Sequence, residues 1–149
     1  MVASLNRSDG GVPKVAVERV RVTVNGMDGD RQRNLKHHGG PDRALCLYSA
    51  DLIDRLRHEG NPIVAGSIGE NVTIAGLDWQ LLVPGVSVAI GPIEVELTSF
   101  AIPCRNIRDS FKGRRSGRVS PRTHPGEARL YARVRIEGIV AVGDPVSIL

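Results

Sequence analysis

A chain of 149 residues, 41% apolar but only 3% aromatic, is long enough to bury one core, and that core must be built from Val, Ile, Leu and Ala, a composition that leans toward strands. No apolar stretch approaches the length of a bilayer span and the opening "MVASLNRSDGGVPK" has no uninterrupted apolar run, so neither a membrane span nor a secretory signal is expected. The formal charge of +4 and pI near 9.6 favour an anionic partner, with nucleic acid the weakest choice because interleaved aromatics, helix-turn-helix spacing and finger spacing are all missing.

One domain over residues 1–149 is expected, with residues 1–12 as a loosely ordered leader. "VPKVAVERVRVTVNG" places apolar residues at Val15 and Val17 and then at Val20, Val22 and Val24, extended structure with a phase slip that a bulge near Glu18 and Arg19 would explain. "RALCLYS" reads as a short buried strand. "SADLIDRLRHEG" predicts a helix: Ser49 as N-cap, Asp51 in the first turn, Leu52, Ile53 and Leu56 as an apolar stripe and Gly60 as the residue past its end. "IEVELTS" and "LYARVRI" alternate as strands, and "VAVGDPVSIL" closes the sequence around a turn at Gly143 and Asp144. Residues 105–126, rich in Arg, Ser, Gly and Pro, form an irregular segment, either an ordered functional loop or a mobile one. These elements predict a mainly β protein, a barrel with a few short helices.

Cys46 and Cys104 are too few for a disulfide framework or a four-thiolate metal site, and a reducing cytoplasm is the default compartment. Cys46 lies inside an apolar run and reads as core packing. Cys104 follows Pro103 at the end of a predicted strand and precedes five arginines and a lysine within residues 105–118. A helical turn beginning near Asn106, together with Arg105 and Arg108, would favour the thiolate, the form that attacks, carries sulfur or binds a metal. The local sequence leaves two readings open, a reactive thiol or an ordinary buried cysteine.

Two further stretches carry candidate chemistry. "GDRQRNLKHHGGPDRA" offers Asp30, His37, His38, Asp42 and Arg43 around Gly39 and Gly40, either a polar ligand cradle or a surface turn in which the glycines and Pro41 reverse the chain; adjacent histidines on a strand point apart, which disfavours a shared metal. "GSIGENVTIAGL" places Glu70 and Asn71 between a glycine-rich turn and an apolar strand, where they would orient a ligand or cap the turn. The sequence lacks a dinucleotide G-x-G-x-x-G, a P-loop lysine, G-x-S-x-G and H-E-x-x-H, so nicotinamide, nucleotide hydrolysis and esterase chemistry lose their usual anchors.

Taken in order, "GDRQ…KHHGGPDRALCLYS", "GSIGENVTIAGLDW", "VAIGPIEVELTS" and "PCRNI" resemble the MOSC domain family, named for the C-terminal domain of molybdenum cofactor sulfurase, and most of all its small stand-alone bacterial members. The resemblance runs from about residue 13 to the end and implies a twisted β barrel. It implies a bound molybdenum cofactor (Mo-pterin), with Cys104 either ligating the metal or carrying sulfur as a persulfide. It further implies a pterin cleft lined by the "HHGGPDRA" and "GEN" blocks, with Asp30, His38, Gly39, Gly40, Arg43, Glu70, Asn71 and Arg105 as cofactor-binding residues. "HPGEARLYARV" keeps the Gly and the Leu-Tyr of a pattern that in some relatives carries a preceding tryptophan. The resemblance implies a reductase of N-hydroxylated bases or amidoxime-like compounds. Because no flavin, haem or iron–sulfur signature occurs, such an enzyme would need a separate electron-donor reductase. The alternative is a non-catalytic carrier delivering persulfide sulfur or the cofactor to a partner.

Overall fold

Alternation of buried and half-exposed residues governs the computed structural model, which describes residues 1–31 and 40–149. In β8 (Ile93–Phe100), Ile93, Val95 and Leu97 turn inward while Glu94, Glu96 and Thr98 do not, as the two-residue period of a half-buried strand demands. β8 pairs antiparallel with β9 (Leu130–Ile136) from Glu94 opposite Ile136 to Phe100 opposite Leu130, with register shifts that bend the pair. β7 (Ser87–Ile90) lies on the other flank of β8, and β11 (Val146–Ile148) on the far side of β7. β9 also pairs with β5 (Leu45–Ser49), whose residues are all buried because both its faces are covered. β5 leads through α1 (Ala50–His58) into β6 (Val72–Ile74), which runs parallel to β5. β6 pairs with β1 (Val2–Arg7), and β1 with β2 (Val15–Val17).

This eight-stranded sheet has the order β11-β7-β8-β9-β5-β6-β1-β2. A second sheet holds β3 (Arg19–Thr23), β4 (Gly26–Met27) and β10 (Gly138–Ala141) in the order β10-β3-β4. Val20, Val22 and Val140 of the small sheet are buried in the same apolar cluster as Leu47, Val88 and Val95 of the large one. Three sequence expectations change here. No closed barrel forms among the described residues, since β11 and β2 end the large sheet without pairing with each other. The leader is not loose: Val2, Leu5 and Asn6 are fully buried in β1. The phase slip at Glu18 is not a bulge within one strand. It is the point where the chain leaves the large sheet for the small one, and Glu137 makes the same passage between β9 and β10.

α1 forms where its sequence signals place it. Ser49 Oγ accepts a hydrogen bond from the Leu52 amide at 3.1 Å, a cap that contributes about 1 kcal/mol. Leu52, Ile53 and Leu56 are buried, and Gly60 takes the left-handed conformation, φ 99°, that ends the helix cleanly. Among the described residues no helix is long and apolar enough to cross a membrane. Residues 105–119 fold into short 3-10 turns at Arg105–Ser110, Lys112–Arg114 and Ser116–Val119. Ile107, Phe111 and Val119 pin them to the core, so the irregular segment is a packed arc. Just before β9, Trp79 Nε1 donates to the Ala128 carbonyl at 2.7 Å and the Tyr48 hydroxyl to that of Glu127 at 2.8 Å.

Candidate functional site

The accessible thiol belongs to Cys104. After β8 the chain turns outward through Ala101 to Pro103, and Cys104 caps the first 3-10 turn in extended conformation, its carbonyl accepting from the Ile107 amide at 3.3 Å. Its side chain makes no capping hydrogen bond, and the residue is partly exposed while packing in part against the main core. Cys46, on β5, is the opposite case: buried among Ala101 and Tyr131, with burial pushing its thiol up to about 11, where it stays protonated and inert at neutral pH.

Tyr131 connects this thiol to the cationic groups. It sits opposite Cys46 on β5 and Ser99 on β8, and the Arg43 guanidinium lies over its ring at 5.2 Å, a cation–π contact. Burial pushes the Tyr131 hydroxyl up to about 12; the Cys46 and Cys104 sulfurs reinforce the shift and Arg129 and Arg43 oppose it. Arg43 also borders an open cleft of about 430 Å³ on the β8–β9 surface, with Asp42, Glu96, Thr98, Ser99 and Arg133 among its walls. Arg133 there bridges Asp42 at 2.5 Å and Glu96 at 2.8 Å. Arg105 and Arg108 are exposed on the turn that Cys104 caps.

Asp30, Glu70 and Asn71 stand elsewhere, inside the protein. The Asp30 carboxylate receives Lys14 Nζ at 2.7 Å on both oxygens, the Ser8 amide at 3.0 Å and Asn71 Nδ2 at 2.9 Å. Asn71 Oδ1 accepts from the Cys46 amide at 3.0 Å, its own amide donates to the Cys46 carbonyl at 2.7 Å, and its carbonyl accepts from the Asn6 amide at 2.8 Å. One asparagine thus ties β5 to β1 and to Asp30, seven residues before the "HHGGPDRA" block in the sequence. Glu70 is fully buried; Oε2 accepts from Thr73 Oγ1 at 3.1 Å while Oε1 has no hydrogen-bond partner among the described residues. Burial holds its carboxyl above the usual carboxylate range, although the Gly66 and Glu70 amides and Thr73 favour the charged form. His37, His38 and Gly39 lie outside the described residues. Gly40 enters the 3-10 turn Pro41–Arg43 with φ 80°, a backbone angle that calls for glycine, and among the described residues a Cβ there would meet nothing within 4 Å.

Arg129 carries no distinctive sequence signal, whereas Tyr131 is the tyrosine of the Leu-Tyr pair in "HPGEARLYARV". Arg129 is 3% exposed. Its Nη1 donates to the Ile68 carbonyl at 2.8 Å and its Nη2 to that of Ile102 at 3.3 Å, while among the described residues Nε has no partner. Charge is also unevenly shared along the chain. Residues 100–125 carry seven Lys and Arg against one acidic residue, a local +6; the remainder, with 13 basic and 15 acidic residues, sums to −2. The excess positive charge therefore belongs to the arc that Cys104 opens.

Residues 34–147 match the sequence profile of the MOSC domain. The chain is 28% identical over 141 residues to the uncharacterized protein YflK of Bacillus subtilis (strain 168), covering 94% of this chain and 63% of YflK. It is 29% identical over 105 residues to the protein YiiM of Escherichia coli (strain K12), covering 67% of this chain and 47% of YiiM. It is thus similar to part, not all, of each relative. Among solved structures, YiiM from Geobacillus stearothermophilus superposes with a TM-score of 0.75 at 23% identity, covering 100% of this chain and 74% of the other. The YUAD protein from Bacillus subtilis gives 0.73 at 17% identity, covering 97% and 92%. With the profile spanning most of its length and the same architecture in these structures, the chain belongs to the MOSC domain family, which is associated with binding of the molybdenum cofactor.

Proposed function

We propose that this protein binds the molybdenum cofactor with the Cys104 thiolate as metal ligand and reduces N-hydroxylated bases or amidoxime-like compounds. The observation that carries the reading is the contrast between the two thiols: Cys46 is buried and protonated, whereas Cys104 is half-exposed, uncommitted to any cap and followed by exposed Arg105 and Arg108. The donor set suits the group. A soft thiolate matches a heavy metal, and guanidinium forks match a phosphate. Arg43 and Arg105 are the residues assigned to that phosphate. The buried Asp30, Glu70 and Asn71 support the site by holding β1, β5 and β6 in register; His38 and Gly39 are kept as cofactor-binding candidates on the family resemblance alone.

Bound here, the cofactor would supply a two-electron redox couple. Reducing an N-hydroxylated base consumes two electrons and two protons, breaks the N–O bond and releases the oxygen as water. The electrons would come from a separate reductase, acting in the cytoplasm. The test is metal analysis of protein expressed with an intact cofactor pathway, paired with reduction of an aryl amidoxime by reduced viologen. Stoichiometric molybdenum and turnover are expected in the wild type, with both lost in Cys104→Ser and the fold retained. Retention of metal and activity in that variant refutes the assignment. A Cys104 persulfide without molybdenum favours a sulfur carrier instead, a reading to which the accessible position of the thiol also lends itself.

A further inference from the structure

We propose that Arg129 is the positioning residue of the Cys104 loop, its guanidinium clamping that loop to the one that carries Glu70 and Asn71. The assignment rests on the reading of Cys104 as the working thiol. Ile102, whose carbonyl takes Nη2, lies two residues before Cys104; Ile68, whose carbonyl takes Nη1, lies two residues before Glu70. The main chain of Arg129 completes the grip, because its carbonyl accepts from the Ala101 amide at 2.9 Å. Among the described residues, every hydrogen bond that reaches residues 101–104 from outside the turn they open comes from Arg129. Pro103 has no N–H to offer. Apolar packing holds the ends of the segment, Ala101 against Cys46 and Tyr131 and Cys104 in part against the main core, whereas Ile102 between them is 62% exposed and Pro103 only partly covered.

The residue type fits this role and no cheaper one. A guanidinium out of water loses its hydration, and no carboxylate lies within ion-pair distance of Arg129 among the described residues. Glu70 is the acidic neighbour whose charge and proton it influences. An apolar side chain would fill the same space without that cost. Two carbonyls on separate loops, however, need a planar fork with donors held apart, which neither an apolar side chain nor the single ammonium of lysine provides. Among the described residues Nε has no partner, and the two carbonyls take both of the fork's hydrogen bonds.

The test uses the cofactor-free full chain as wild type, Arg129→Lys and Arg129→Met. Amide exchange is followed by mass spectrometry in peptides covering residues 100–106 and residues 86–97, with iodoacetamide labelling mapped to Cys104 and Cys46. In both variants, exchange over 100–106 should rise at least about tenfold and Cys104 labelling severalfold, while residues 86–97 and Cys46 keep wild-type protection, as expected for local rather than global opening. Lysine, which keeps charge and length, should fail to restore the loop. If Arg129→Met does not fold, Arg129→Lys alone decides. Unchanged exchange over 100–106, or an equal rise across the β7 and β8 peptides, overturns the clamp. None of these readouts needs molybdenum, so the clamp can fail while the metal assignment stands, and Cys104→Ser can refute the metal assignment while the clamp stands.

Discussion

Truncating Asn71 to alanine distinguishes a structural strut from a ligand-facing side chain. The carboxamide makes three side-chain hydrogen bonds, to the Cys46 amide at 3.0 Å, the Asp30 carboxylate at 2.9 Å and the Asn6 carbonyl at 3.3 Å. Its loss strands the buried Cys46 N–H, at about 1–3 kcal/mol, and removes a donor from an ionised carboxylate, at about 1.5–3 kcal/mol. The long third bond adds little, and Lys14 still holds Asp30, so a total near ~3–5 kcal/mol is expected. For a chain of this size each kcal/mol lowers the melting temperature by about 2–4 °C, giving a fall of roughly 10 °C. Urea and thermal unfolding followed by far-UV circular dichroism measure both quantities. Asn106→Ala, on the exposed face of the arc, serves as control and should stay within about 0.5 kcal/mol of wild type. A loss below about 1 kcal/mol in Asn71→Ala would refute the strut, because no buried network of this kind gives up its central amide so cheaply.

Glu70→Gln probes the same region through pH. Burial raises the Glu70 carboxyl above its unfolded value, so the stability contributed by its proton is fully present below the unfolded pKa and is lost as pH rises through the folded one. The variant should therefore gain on wild type in urea midpoints as pH increases from about 4 to 8, and the opposite slope would contradict the burial argument. Gly66→Ala should cost at least about 2 kcal/mol: φ is +84°, and a Cβ would stand 2.5 Å from the carbonyl oxygen of Lys14, the residue before β2, which is already bonded back through its amide to the Gly66 carbonyl. Thermal unfolding checks it, with a shift under about 2 °C counting against the clash.

The parts of the fold that local chemistry decides were readable in advance. Ser49 at the head of a three-residue apolar stripe has few roles besides a cap, and Ile93, Val95 and Leu97 alternate so regularly that only a half-covered strand satisfies them. The break at Glu18 shows the limit: a bulge and a change of sheet produce the same slip of period, and only long-range pairing tells them apart. β1 is not legible locally, because the partners that cover it, Asn71 and Thr73, are more than sixty residues from Asn6. The same ambiguity affected the site. Asp30 and Asn71, polar and close to glycines, look alike whether they face a ligand or one another. Arg129 was invisible for the converse reason: in "ARLYARVRI" it shares its phase with Arg133 and Arg135, which are far more exposed, and it differs only because the 101–104 loop folds over that end of β9.

The uneven placement of charge has a kinetic meaning. An arc holding +6 by sequence, of which Arg118 is paired with Glu59 and Glu127 from the rest of the chain, stands against a remainder of −2. This leaves the positive charge of a weak cation unevenly placed, and an uneven charge turns in the field of whatever approaches. An acidic protein would meet the Cys104 end preferentially, its orientation chosen while the two surfaces are still about a Debye length, roughly 8 Å, apart at physiological salt. Productive encounters would then be a larger share of all collisions than the small area around one thiol suggests, and that advantage would fade as salt shortens the reach of the field.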